Sequence, residues 1–213
     1  MKQRATDDIE KAARRSAILD AARRLYLQDS RQLPSAARIA EAVGLAKGTL
    51  YLYFRTKEEI FLALLAQEFS SLLQLVQEVF TSSPVPPPSE YLARYVAHLD
   101  RRPELLRLDS MAYSVLEQNM GEAQLRAFKL ALTEGLVAAG ALLDQALRLP
   151  AGRGTTLLMR TYALTRGLWQ SLDYPPAMRA VLADPVFAPI RPDFRSELAE
   201  ALAEYWRGAL PHG

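Results

Sequence analysis

The sequence predicts an all-α protein, with a small N-terminal helical module followed by a larger helical body. Three observations lead there. Apolar residues recur at i, i+3, i+4 and i+7 along most of the chain, and no stretch sustains the period-two alternation of a half-buried strand. Half of the 213 residues are apolar, enough for a substantial core. Basic charge is unevenly placed: residues 1–60 hold 12 Lys and Arg against 8 Asp and Glu, a net +4, whereas residues 61–213 hold 14 against 16. A basic module joined to a near-neutral body suits contact with a polyanion.

Composition also excludes function classes. The chain has no cysteine, which removes thiol nucleophiles, thiolate zinc sites and iron–sulfur clusters, and its imidazoles are those of His98 and His212. No metal site and no cofactor are expected, and His98 reads as a capping or surface histidine. The sequence contains no G-x-S-x-G, H-E-x-x-H or Walker motif, so no catalytic residue is expected. No apolar run approaches the roughly 20 residues of a spanning helix, and residues 1–13 are too charged for a signal peptide. The expectation is a cytoplasmic protein without a membrane partner.

The elements follow in order. Ile18, Ala21, Ala22 and Leu25 form the stripe of a first helix. Ala36, Ile39, Ala40 and Val43 repeat it after Pro34-Ser35, with Ser35 placed to cap, and Gly44 ends that second helix. A short third helix fits residues 46–55, where Leu50 and Phe54 lie one turn apart on a face that Leu45 extends. Thr56-Lys57-Glu58-Glu59 has the T-x-x-E form of a capping box, so a fourth helix starts there and runs to Phe80. The proline-rich segment 82–89 stops it, since successive prolines lack donors and clash with helical backbone. Further helices are expected near residues 90–101, 103–118, 121–148, 154–172 and 193–208, with Gly152-Arg153-Gly154-Thr155-Thr156 as a helix start. Five prolines make 173–192 mostly irregular, with one helical turn around 178–182. Gly135 and Gly140 sit inside a long helix at about 1 kcal/mol each relative to alanine, so they mark close helix packing or room for a ligand.

Two short helices joined through Gly44 fit a helix-turn-helix. With Leu50 and Phe54 anchored inward, Gly48, Thr49, Tyr51 and Leu52 turn outward and Lys47 lies on the flank. A helix of about ten residues in a thin three-helix module cannot bury every face, so an outward Tyr-Leu pair needs a partner. The DNA major groove accepts an α-helix: Gly48 permits close backbone approach, while Thr49, Tyr51 and Lys47 offer hydroxyl, aromatic and cationic contacts.

On these residues residues 14–61 resemble the DNA-binding domain of the tetracycline-repressor (TetR) family of bacterial transcriptional regulators. The resemblance runs through Ile18-Leu19-Asp20-Ala21-Ala22, Ile39-Ala40-Glu41-Ala42-Val43-Gly44-Leu45, Ala46 to Phe54 and Lys57-Glu58-Glu59-Ile60-Phe61, about a quarter of the chain. It implies that Lys47, Gly48, Thr49, Tyr51 and Leu52 face the groove, and that Tyr53, Lys57 and Ser35 contact phosphates. Arg14, Arg15 and Arg38 are further candidates for phosphate. The connection Asp29-Ser30-Arg31-Gln32-Leu33-Pro34-Ser35 departs from the family's glycine-aromatic turn and Thr, although Ser35 keeps the cap chemistry.

The resemblance further implies a DNA-binding domain over 1–60, an effector-binding and dimerisation domain over 61–213, a homodimer on a palindromic double-stranded operator, and release by a small-molecule effector. A helical carrier or interaction module without DNA binding is the alternative. Apolar residues on more than one face of the last two long helices favour a subunit interface, with Leu158, Leu168, Leu172, Leu198, Leu202 and Tyr205 as candidates. Side chains combining apolar bulk with a polar handle make Met111, Tyr113, Phe128, Tyr162, Arg166 and Trp169 candidates for the effector.

Overall fold

A computed structural model describes residues 2–29 and 32–210. Ser30 and Arg31 of the altered connection, and His212, lie outside the described residues. Among those described, the chain is helical with no strand. The helices are α1 (Lys2–Gln28), α2 (Ala36–Ala42), α3 (Lys47–Leu50), α4 (Lys57–Phe80), α5 (Pro88–Asp100), α6 (Glu104–Ser110), α7 (Glu122–Ala146), α8 (Arg153–Leu172), α9 (Pro176–Val181) and α10 (Phe194–Ala209). Where one helix was expected over 103–118, α6 ends at Ser110 and gives way to a π-helical turn (Ala112–Leu116) and a 3-10 turn (Glu117–Asn119). The proline-rich 173–192 holds α9 and a 3-10 turn (Pro185–Ile190).

The chain divides into two compact units, residues 1–69 with 104–129 and residues 70–103 with 130–213. In the first, Ile18, Ala21, Ala22 and Tyr26 of α1 are fully buried, and the Tyr26 and Phe61 rings lie 5.7 Å apart. Arg23 on α1 reaches two buried carboxylates, Glu68 of α4 at 2.7 Å and Glu104 of α6 at 3.1 Å. Carboxylates at this depth are tolerated because each is ion-paired with the guanidinium, which also donates a hydrogen bond to Glu68. By length and mean hydropathy α4 would suffice to cross a membrane, although polar residues interrupt its apolar runs. Half of that stretch is buried within the protein.

In the second unit α10 packs on α5 and α8. Its Trp206 is buried with Tyr91, Tyr95 and Phe80, the Tyr91 ring lying 5.2 Å from both Phe80 and Trp206. The polar atoms of this cluster are satisfied in sequence. Trp206 Nε1–H donates to Thr161 Oγ at 2.8 Å, and the Thr161 hydroxyl donates to the Leu157 carbonyl. The Thr165 hydroxyl donates to the Thr161 carbonyl, so the proton of the 3.0 Å Tyr95–Thr165 contact belongs to Tyr95. His98 on α5 is buried, unlike the surface or capping position expected for it. Gly140 and Gly154 face each other where α7 meets α8: a Cβ on either would overlap backbone of the other helix. A Cβ on Gly135 would meet Leu73, so both α7 glycines serve close packing. The carboxylate of Asp144 caps α8 by accepting the N–H groups of Gly152 and Gly154.

Burial pushes the hydroxyls of Tyr91 and Tyr95 above the ordinary tyrosine range. The unfolded chain then ionises first as pH rises, so their contribution to stability is full below about pH 10 and is lost above it, by up to about 1.4 kcal/mol per pH unit for each tyrosine. Urea unfolding midpoints are expected to hold level between pH 7 and 9 and fall by pH 11, and Tyr91→Phe is expected to flatten that fall.

Candidate nucleic-acid interface

The N-terminal module is built by α1, α2 and α3. Ser35 caps α2, its Oγ accepting Arg38 N–H at 3.3 Å. At the other end Gly44 adopts φ +67°, a left-handed conformation that favours glycine. Gly44 N–H then reaches the Glu41 carbonyl at 3.1 Å and Leu45 N–H the Ala40 carbonyl at 2.9 Å, the paired bonds of a Schellman termination. This turn aims α3 across α2. The regular part of α3 is shorter than the 46–55 expected. After Leu50 the backbone tightens, with Leu52 N–H on Thr49 O and Tyr53 N–H on Leu50 O, before Phe54 N–H returns to Leu50 O at 3.1 Å. Glycine, a β-branched residue and two tyrosines within seven positions give little intrinsic support to a longer helix. Burial of Leu50 and Phe54 holds the segment instead.

That anchoring leaves an outward face. Lys47 and Gly48 are exposed, Tyr51 is 43% exposed and Leu52 77% exposed, while Thr49 and Tyr53 are half-buried. Open space surrounds Gly48, where a Cβ would meet nothing within 4 Å. Gly48→Ala is therefore expected to raise the unfolding midpoint, by up to about 1 kcal/mol of helix propensity. If this face meets a duplex backbone-close, the same variant loses duplex affinity, so melting and binding curves are expected to move in opposite directions.

The corner leading into α4 is held from both sides. Glu59 N–H donates to Thr56 Oγ at 3.2 Å, and Glu59 Oε2 accepts Arg55 N–H at 2.8 Å, one residue before the position a standard capping box uses. The other oxygen of Glu59 accepts from Gln124 Nε2 of α7 at 2.9 Å. Lys57 is half-buried with its ammonium 3.9 Å from Glu58. Arg15 is used internally: its guanidinium lies 4.1 Å above the Phe54 ring and donates to the Tyr53 carbonyl at 3.2 Å. Arg14 and Arg38 are exposed. A cleft of about 450 Å3 between α1 and the turn after α3 is lined by Glu10, Lys11, Arg14, Leu52 and Tyr53. Lys11 was not among the expected contacts, although its spacing from Arg14 and Arg15 puts all three on one side of α1.

The body candidates separate between the units. Met111, Tyr113 and Phe128 belong to the first; Tyr113 is 60% exposed, and Lys129 Nζ sits 5.0 Å from its ring and 5.3 Å from that of Phe128. Tyr162, Arg166 and Trp169 are half-buried on α8 in the second. Of the residues expected at a subunit contact, Leu158, Leu198 and Leu202 are buried within the single chain, so little of their surface is left for a partner. Leu168, Leu172 and Tyr205 are half-buried. A mainly apolar groove of about 640 Å3 runs along α8 and α10, with Arg160, Ala163, Leu164, Gly167, Leu168 and Ser171 on one wall and Leu198, Ala201 and Tyr205 on the other.

The chain is similar to known proteins along most of its length. Residues 18–64 match the model described as "Bacterial regulatory proteins, tetR family", and residues 66–213 match "Tetracyclin repressor-like, C-terminal domain". The chain is 31% identical over 61 residues to the fatty acid metabolism regulator protein of Bacillus subtilis, a match covering 29% of this chain and 31% of that protein. It is 32% identical over 69 residues to the HTH-type transcriptional repressor AcnR of Corynebacterium diphtheriae, covering 32% and 36%. These matches span about a third of the length of the curated relatives. Among solved structures, a TetR-family transcriptional regulator from Mesorhizobium loti aligns with a TM-score of 0.59 at 19% identity, covering 95% of this chain and 98% of that one. FadR from Bacillus subtilis, solved with stearoyl-CoA, aligns at 0.55 and 18% identity, covering 92% and 99%. At these identities the two structures share the fold.

Proposed function

This chain belongs to the tetR family of bacterial regulatory proteins, and from that premise we propose that it is a cytoplasmic repressor that binds a palindromic operator as a homodimer and is released by a small organic effector. The observation that carries the reading is the outward Tyr51-Leu52 pair on a reading segment whose buried side is fully used by Leu50 and Phe54. Exposed bulk of this kind, beside Lys47 and Gly48, fits base edges and thymine methyls in a major groove. Thr49 adds a hydroxyl at the same face. Tyr53, Lys57 and the Ser35 hydroxyl serve as phosphate contacts that set register without reading sequence.

Residues 1–60 form the DNA-binding domain in this reading, and 61–213 the effector-binding and dimerisation domain. The groove along α8 and α10 is the surface offered to a second copy, since isologous pairing covers apolar area that one chain leaves open. The side chains offered to the effector are Met111, Tyr113 and Phe128 in the first unit or, as a separate candidate set, Tyr162, Arg166 and Trp169 in the second. Helix α4 transmits between the functions: it begins at the corner that Glu59 and Gln124 hold beside the reading segment. An effector that binds the non-DNA-competent arrangement better must weaken operator binding by the same coupling.

Selection of bound duplexes from a random pool tests the proposal. Enrichment of an inverted repeat whose half-sites lie about one or more helical turns apart supports it, because a two-fold dimer reads two equivalent grooves. A pool that enriches nothing, at low salt and without effector, overturns it in favour of a helical carrier without DNA binding.

A further inference from the structure

We propose that the segment between α8 and α10, residues 176–190, is an arm that closes over a second copy of this chain, with Met178, Val181, Val186 and Ile190 as its contact face. The inference rests on the reading of the α8–α10 groove as the surface for that copy, and adds an element outside the groove. Composition is the first observation. Connections that face water are ordinarily polar, yet the charged residues of 176–190 are Arg179 and Asp184, and the segment has no Ser, Thr, Asn or Gln. Both charges are engaged locally. Arg179 Nε donates to the Tyr174 carbonyl at 2.7 Å and its guanidinium lies 3.6 Å from Asp173, while Asp184 accepts Val186 N–H at 2.9 Å. What the segment shows to solvent is apolar: the four contact residues are 47–70% exposed, whereas Leu182 is buried and already occupies the inward side. A clustered apolar face of this kind marks an interaction surface.

The second observation is order. Tyr174 Oη–H donates to the Ile190 carbonyl at 2.8 Å and so ties the two ends of the segment together. Helix α9 and the 3-10 turn fill the interval, and Pro175, Pro176, Pro185 and Pro189 fix their own φ. The face is preformed, and docking it orders little further chain. The third observation is continuity with the groove. The segment follows directly on Ser171 and Leu172 at the end of α8 and returns to α10 ahead of Leu198, and Ser171 and Leu198 both line the groove. A copy seated in the groove therefore meets the root of the arm. Nine residues line the groove, whereas a stable interface uses about 20–30 on each side. The arm is the apolar surface joined to both groove walls that extends the contact toward that size.

The chain has no cysteine, so one introduced thiol takes a benzophenone maleimide at a single position. Val181→Cys and Val186→Cys, each labelled and irradiated at a concentration where light scattering reports a dimer, are expected to give a covalent band of twice the chain mass on a denaturing gel. Val181→Ser with Val186→Ser is expected to raise the dimer dissociation constant by about a hundredfold or more, because two-fold symmetry removes four valines from the contact. Unchanged far-ultraviolet circular dichroism shows that the helices of this variant persist. Single-chain bands alone from both labelled dimers, or an unchanged dissociation constant in the serine variant, overturns the arm while the α8–α10 dimer stands. A wild-type chain that stays monomeric up to high micromolar concentration overturns both.

Discussion

Lys47→Ala combined with Tyr51→Ala is expected to lower affinity for a selected operator duplex by roughly a hundredfold or more, with little change for a shuffled duplex. A good groove contact is worth about 1–3 kcal/mol of discrimination, and the pair removes two from each reading segment. Both side chains are on the outward face, Tyr51 being 43% exposed and Lys47 exposed, so the buried anchors Leu50 and Phe54 are untouched. The melting temperature is therefore expected to stay within the range of ordinary surface substitutions, about 0.5 kcal/mol. Gel-shift competition between the two duplexes measures the outcome. Undiminished preference for the operator in the double variant would place base reading elsewhere on the chain.

A large stability effect is expected where α7 crosses α8. A Cβ at Gly140 would overlap the side chain and backbone of Thr155, and one at Gly154 would overlap the Gly140 carbonyl. Helix propensity favours alanine by about 1 kcal/mol, yet backbone atoms cannot move aside as a flexible side-chain tip can, so the helices must separate. Gly140→Ala is expected to destabilise by about 2–3 kcal/mol net, as overpacked interiors do. For a chain of this size that corresponds to roughly 5–10 °C in melting temperature. Gly208→Ala is the control: it lies on α10 with nothing within 4 Å of a Cβ and does not line the groove proposed for a second copy, and it is expected to be neutral or stabilising. Calorimetric melts of the two variants decide the matter. Equal melting temperatures would show that the α7–α8 contact relaxes at no cost.

Much of the fold was legible because its signals are local. Gly44 ends α2 through its own positive φ, Thr56 begins α4 through its own hydroxyl, and prolines 84–88 stop it near Phe80. The outward set from Lys47 to Leu52 was legible for the same reason, since Leu50 and Phe54 assign the inner face within one turn. The break after Ser110 was not, because periodicity alone cannot distinguish a continuous α-helix from one that loosens to a π turn. Nor was the inner face of α8 and α10. Both helices are apolar on two sides, and only packing against α5 shows that Leu198, Leu202 and Trp206 point into the chain.

By itself the sequence determined that this is an all-helical chain, where most of its helices begin and end, and which residues of the reading segment face outward. Each depends on neighbours a few positions apart, through hydrogen bonds and side-chain spacing that any helix enforces. Tertiary structure alone decided what depends on residues distant in sequence. It gave Arg15 to Phe54, joined Glu59 to Gln124 across 65 positions, and drew Glu68 and Glu104 together on Arg23. A charged side chain has the same local signature whether it is buried in a pair or aimed at a phosphate, and only the partner that folding brings beside it separates the two.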